Sequence, residues 1–492
     1  MPRLIFLVSL IVLASACSGG KDAATSSRGG SPPPPGSSQP PARSDCDWPR
    51  FGFDAGRTNS GPAEAGLPAE GIDRPFKRRT LHLPGTVDSS PIYMHDAKVG
   101  GSTHDVYVVT TSYGITLALD AATGAELWRF TPSSLPALAG SAQITNASPV
   151  ADPAGRFVYA ASPDGYVHKL AIGDGQESTA GGWPAQVTRD PAHEKLGTAL
   201  NVAGGLVLAT TGGYIGDTPP YQGHVAAIDR ADGRMAWVFN ALCGDRRELI
   251  DPADCDQSGA AIWARAGAVV TPDGDHVLVA TGDGRYDGDT DWGDSVLELR
   301  LSDGRLTGHY TPPDYARLES EDVDLGSTAP ALLTAHLAVQ SGKDGRLRLL
   351  TLPGLRLRQT LTAPGGSGLF SAPAVVKGTD GPLLVVANAS GTSTYTLDGG
   401  RLAERWSVTT PGTSPVAAGG LVFVYDPAGG GLDVYRPDSP QPIARLPATP
   451  GHWNSPVVTD GRIALPEGDA NEHATTGTIE IYSYAAAGTC GR

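Results

Sequence analysis

Eight short segments of this chain share one shape: a small residue, then proline or a small stand-in, then an apolar run. They read SSPIYM, ASPVAD, GTALNV, RAGAVV, STAPALL, SAPAVV, TSPVAA and NSPVVT, with the marker at Pro91, Pro149, Ala199, Gly267, Pro330, Pro373, Pro415 and Pro456. Successive markers stand 58, 50, 68, 63, 43, 42 and 41 residues apart. A unit of that minimum length holds four short strands and their turns. Such a unit cannot bury its apolar face alone and must stack on its neighbours. No other feature limits the fold as strongly.

Between the markers the chain reads as strand. Runs such as DVYVVTTSYGITLALD, RFVYAASPDGYVHKLA and HLAVQSGKDGRLRLLTL are rich in apolar residues and broken by Gly, Asp and Asn, while helical periodicity is nearly absent. The expected fold is all-β: an eight-bladed β-propeller of four-stranded antiparallel blades over residues 45–492. A ring of blades must also close, or its first and last members leave bare sheet edges. FKRRTLHL at 76–83 is expected to complete the blade that ends in TIEIYSY.

A second recurrence supports the first. Ala118, Asp120, Gly124 and Trp128 have the same spacing as Ala227, Asp229, Gly233 and Trp237, and Gly399-Gly400 with Trp406 is a shortened version. Asp and Gly suit the tight turn between two outer strands, and a flat indole can cover the neighbouring blade. This A-x-D-x3-G-x3-W pattern resembles the repeat of the PQQ-type propellers, the quinoprotein dehydrogenases and the related outer-membrane assembly lipoproteins. DWPRFGFDAGRTNSG at 47–61 is similar to that family's entry segment.

The N-terminus reads differently. Arg3 precedes an apolar run, Leu4 to Leu13, that is too short to span a bilayer, so residues 1–16 are expected to be an export signal. Ala14-Ser15-Ala16-Cys17 resembles the lipobox of bacterial lipoproteins, and lipid at Cys17 is the expectation. Residues 17–44 are rich in Gly, Ser and Pro, too poor in apolar side chains to offset the entropy of ordering, and read as a tether. The net charge of −15, without any basic run, argues against nucleic acid and anionic membrane surfaces as partners. The expected protein is a monomer held by lipid at the outside of the cell envelope.

Beyond Cys17 four cysteines remain, an even number in an exported chain. Three pairings are open. The favoured one staples the loop CGDRRELIDPADC through Cys243–Cys255 and joins the domain's ends through Cys46–Cys490. Neither pair has zinc-finger spacing.

Let the strands of a blade be A to D from the axis outward. Alternation then puts D–A and B–C connections on one face of the ring. Asp88, Asn146, Trp263 and His452-Trp453-Asn454 precede A strands, while the loop 283–294 and Lys343 lie between B and C strands. They are expected to converge on one mouth, where such a fold gathers distant residues. The resemblance implies a PQQ site there: Trp263 as the floor beneath the ring, Asp283 where the family has an asparagine, Asp294 as base and Lys343 as the cation on the quinone oxygens. Two family features are missing. TGGYIGDTPPYQGHV carries no calcium-binding glutamate, only Asp217 out of register, and there is no adjacent-cysteine pair.

The loop 283–294 has a second reading. Asp287, Asp289 and Asp291 form a D-x-D-x-D run with Glu298 eleven residues after Asp287, as in an EF-hand calcium loop. Trp292 stands where that motif needs glycine, and Gly293 comes one residue late. The alternatives are a calcium loop and an exposed acidic turn. No HxxxH pair or GxSxG elbow is present. The functional expectation is a binding or scaffolding module whose partner is an envelope protein or a small molecule. The alternative is a PQQ- and calcium-dependent dehydrogenase acting on alcohols or sugars outside the cytoplasm.

Overall fold

The computed structural model describes residues 45–490. The signal and tether readings of residues 1–16 and 17–44, and lipid at Cys17, lie outside the described residues. Within them the strands form eight separate four-stranded antiparallel sheets. The first blade comprises Ile92–Val99, Ser102–Thr110, Thr116–Asp120 and Glu126–Phe130. The fourth comprises Val269–Val270, His276–Ala280, Val296–Arg300 and Leu306–Tyr310, and the fifth Ala331–Thr334, Leu337–Ser341, Arg346–Thr351 and Leu357–Thr362. Each marker precedes or lies in an inner strand, as the repeat requires.

Ring closure is composite. The eighth blade takes Val457–Thr459, Arg462–Pro466 and Gly477–Ser483 from the C-terminal end and Lys77–Leu83 from the N-terminal end. Lys77 pairs with Ser483 and Leu83 with Gly477. Inner strands of the seventh and eighth blades touch, as do those of the eighth and first, so the sheet series has no open end. Both favoured disulfides are formed, Cys46–Cys490 across the seam and Cys243–Cys255 within the loop.

Residues 46–66 do more than enter the domain. They run as a strap across the inner strands, at the side of the A–B turns. Trp48 exchanges two backbone hydrogen bonds of 2.8 Å with Tyr93, Pro49 O accepts from Ala151 at 2.9 Å, and Ala55 O accepts from Val270 at 2.9 Å. Further on, Thr58 O accepts from Val375 at 2.8 Å, Asn59 O from Ala417 at 2.8 Å, and Ala65 O from Gly461 at 2.6 Å. Buried Arg57 donates to Phe51 O at 2.6 Å and to Leu200 O at 2.9 Å. The D–A and B–C connections are thus left to form the opposite face.

Candidate functional site

That opposite face holds a cavity of about 360 Å³. Its aromatic lining comes from three D–A connections and from Tyr214 in the third blade's B–C loop. Phe370, ahead of the sixth blade, stacks on Trp453, ahead of the eighth, with ring centroids 5.0 Å apart. Trp263, ahead of the fourth blade, stands 6.1 Å from Trp453. Glycines make room for this packing: a Cβ at Gly212 would lie 3.2 Å from Trp263 Cβ.

The acidic part of the lining comes from the fourth and fifth blades. Asp283 lies in the fourth blade's B–C loop, and Asp322 and Asp324 lie in the connection to the fifth. Each offers a carboxylate oxygen, and the three oxygens lie within 4.8 Å of one another. Asp324 is buried and accepts the backbone N–H of Asp283 at 2.7 Å. Gly282 permits that approach, since a Cβ there would stand 2.4 Å from Asp324 Oδ1. Lys343 Nζ pairs with Asp322 at 2.5 Å and also with Asp324, and lies 5.6 Å over the Trp263 ring. Burial, with the neighbouring Asp324 carboxylate, pushes the Asp283 carboxyl up. Burial and Asp324 do the same to Asp217, which lines the cavity from the third blade. Burial works against the Lys343 ammonium, but Asp324 and Asp322 outweigh it and hold its pKa above the ordinary lysine value. One ammonium faces several carboxylates, the arrangement in which a bound cation relieves like-charge repulsion.

A basic part adjoins it. Arg265 Nη2 pairs with buried Asp88 at 2.6 Å, and Asp88 also takes Asn146 Nδ2 at 2.7 Å and His452 Nδ1 at 2.9 Å. The Arg265 guanidinium lies 5.6 Å from the Trp453 ring. Lys195 lines the same wall.

Of the residues expected at the mouth, Trp263, Asp283 and Lys343 meet in this cavity, as do Asn146, His452 and Trp453. Asp88 stands behind the lining, bound to Arg265. Asp294 is not part of the lining either. It is 1% exposed, its Oδ1 accepts Leu325 N–H at 2.9 Å, and burial pushes it up to about 7. Asp322 and Asp324 hold the place at the cavity that the sequence reading gave to Asp294. Their signal was the D-x-D in ESEDVDLGSTAP, just ahead of the marker Pro330, in the same kind of connection that carries Trp263.

The second loop reading has its own geometry. Asp287 accepts the backbone N–H groups of Asp291, Asp289 and Thr290, which hold it down to about 2. Asp291 pairs with Arg285 at 3.3 Å, and Asp289 is exposed. Glu298 accepts Gly354 N–H at 3.0 Å, away from the loop. Among the described residues these aspartates are not brought to a common point.

The closed ring defines an eight-bladed β-propeller, and its outer-strand tryptophans sit in a motif similar to the PQQ-type repeat. A family model described as outer membrane protein assembly factor BamB matches residues 118–311. The quinohemoprotein alcohol dehydrogenase ADH IIB of Pseudomonas putida is 29% identical over 239 residues, which are 43% of this chain and 33% of the relative. This chain therefore spans about a third of that curated relative. Among solved structures, quinohemoprotein alcohol dehydrogenase ADHIIG from Pseudomonas putida HK5 superposes with a TM-score of 0.67 at 14% identity, covering 90% of this chain and 81% of that one. A europium-containing methanol dehydrogenase gives 0.67 at 15% identity over 89% and 98%. BamB from Moraxella catarrhalis gives 0.54 at 14% identity over 82% and 98%. These structural likenesses establish the fold.

Proposed function

We propose that the mouth holds a cation on Asp283 and Asp324, with Asp322 beside it as the base, and a planar quinone of the PQQ kind against Trp263, and that the protein oxidises small alcohols outside the cytoplasm. The observation that carries this reading is the convergence of four aspartates, three of them with oxygens within 4.8 Å of one another, two lysines and two tryptophans in one cavity of about 360 Å³. The residues fit such a group. A flat polycarboxylate needs an aromatic face, cationic neighbours and a metal ion, and Trp263, Lys343 and the carboxylate trio offer these. When bound, the quinone supplies the acceptor for the two electrons taken from the alcohol. Asp322 is the exposed member of the trio, its side chain 68% accessible, and is placed to accept the alcohol's hydroxyl proton. Asp324 and Asp283, more deeply set, would hold the ion.

The same reading places the protein at the cell envelope, carried by lipid on Cys17. A second reading, a binding or scaffolding module there, draws support from the assembly-factor family match, which runs from the first blade through the fourth.

Titration of the purified protein with PQQ separates the two, with tryptophan fluorescence read in the presence and absence of Ca²⁺ or Eu³⁺. Saturable, cation-dependent quenching is expected in the wild type, together with its loss in Trp263→Ala. Asp324→Ala is expected to weaken the cation requirement's midpoint by ten-fold or more. No quenching at high micromolar PQQ would leave the scaffold.

A further inference from the structure

Among the described residues, one basic group of the cavity lining has no ion-pair partner. Lys195 leads into the third blade, and its backbone is fixed by a reciprocal pair of hydrogen bonds with Gly212, 2.7 and 3.1 Å. Its aliphatic stem lies over Gly197, where a Cβ would meet Lys195 Cδ and Cε at 3.6 Å. The side chain lines the cavity. Among the described residues no carboxylate lies within 4.0 Å of its ammonium, whereas Lys343 and Arg265 in the same lining are both paired. The nearest acids are already engaged. Asp88 takes Arg265, Asn146, His452 and the Ala470 N–H, and Asp469 takes the Asn471 N–H at 2.9 Å. A desolvated ammonium without a partner is unfavourable and gains most from an anion brought in by a ligand.

We propose that Lys195, with Arg265 beside it, forms a carboxylate-binding subsite of the cavity, and that the ligand there is a flat or aromatic carboxylic acid lying against Trp263, Trp453 and Phe370. The inference rests on reading this cavity as a ligand site, but not on the identity of the quinone. The carboxylate belongs either to the cofactor or to an acidic substrate such as a 2-hydroxy acid.

The lysine's state supports the assignment. Burial, with Arg265 adding to it, lowers the Lys195 amine to about 8, although Asp88 and Asp469 pull the other way. The ammonium is present below that pH and lost as pH rises through it. Carboxylate affinity should therefore fall about tenfold per pH unit above 8. Arg265, Asp88 and Asp469 also act on this amine, His452 lines the same cavity, and all four are retained in a Lys195→Arg variant. A difference in pH profile between that variant and the wild type thus isolates the amine.

The test uses mandelate, its methyl ester and PQQ as separate probes, each followed by tryptophan fluorescence between pH 7 and 9.5, with far-UV circular dichroism confirming that variants fold. The wild type should bind mandelate more tightly than the ester. Lys195→Met should lose at least ten-fold for mandelate, and Lys195→Arg should keep affinity without the fall above pH 8. If Lys195→Met also weakens PQQ, the carboxylate is the cofactor's. If PQQ is unaffected, the carboxylate is a substrate's. If mandelate binds and PQQ does not, the subsite stands and the quinone reading falls. The proposal is overturned if mandelate fails to bind. It is overturned equally if Lys195→Met changes mandelate less than twofold or if the Lys195→Arg profile falls like the wild type's.

Discussion

Three tryptophans show how single residues build this ring. Trp128 Nε1–H donates to Ile172 O of the next blade at 2.7 Å, Trp237 to Leu301 O at 2.9 Å, and Trp406 to Pro437 O at 3.0 Å. The indole faces lie on glycines of the receiving turns: a Cβ at Gly175 would stand 2.6 Å from the Trp128 ring, and one at Gly304 2.3 Å from the Trp237 ring. The spacing pattern announced these tryptophans as covers for a neighbouring blade, but it did not show that each also satisfies a backbone carbonyl. Trp237→Ala is expected to cost about 3–5 kcal/mol, the usual range for removing a buried large aromatic. Gly304→Ala should cost more than about 1 kcal/mol, because it adds a clash to a backbone φ of +65°. Urea unfolding followed by fluorescence measures both, and a change under about 0.5 kcal/mol, the level of an ordinary surface substitution, in either would contradict the account.

At the scale of elements, the strap is the feature with the largest consequence. It hydrogen-bonds inner strands of blades far apart in sequence, so these blades share a single piece of backbone. Arg57 is its anchor, buried and bonded to Phe51 O, Ala199 O and Leu200 O. Arg57→Ala leaves those carbonyls without partners and is expected to cost at least about 3 kcal/mol, at roughly 1–3 kcal/mol for each unsatisfied buried group. A charge-independent loss, equal at low and high salt, would mark it as hydrogen bonding rather than surface electrostatics. The marker pattern located every inner strand because period and turn chemistry are local properties. The composite eighth blade was legible too, from FKRRTLHL and the need to hide an edge. The strap's path was not, since no spacing within residues 46–66 records which distant carbonyls it meets.

For the whole molecule, closure is doubled: by pairing of Lys77–Leu83 with Gly477–Ser483 and by Cys46–Cys490, 444 residues apart in sequence. Replacing both cysteines by alanine should lower stability by about 2–5 kcal/mol, the range for removing a native disulfide. Thermal unfolding checks this, and an unchanged midpoint would assign closure to the strands alone.

By itself the sequence determined the repeat, the blade count, the face that carries the cavity, and the placing of Trp263, Asp283 and Lys343 on that face. Each follows from an alternation that neighbouring residues express. Tertiary structure decided which acids share the cavity. Asp294 has a backbone φ of +46° and a carboxylate bonded to Leu325 N–H, which turns it inward, while Asp322 and Asp324 face Asp283 from the next blade. It likewise decided that Lys195 stands without a carboxylate, since that depends on distances among the first, third, fourth and eighth blades. Such distances are set by packing between units, and a one-dimensional pattern records only what lies within them.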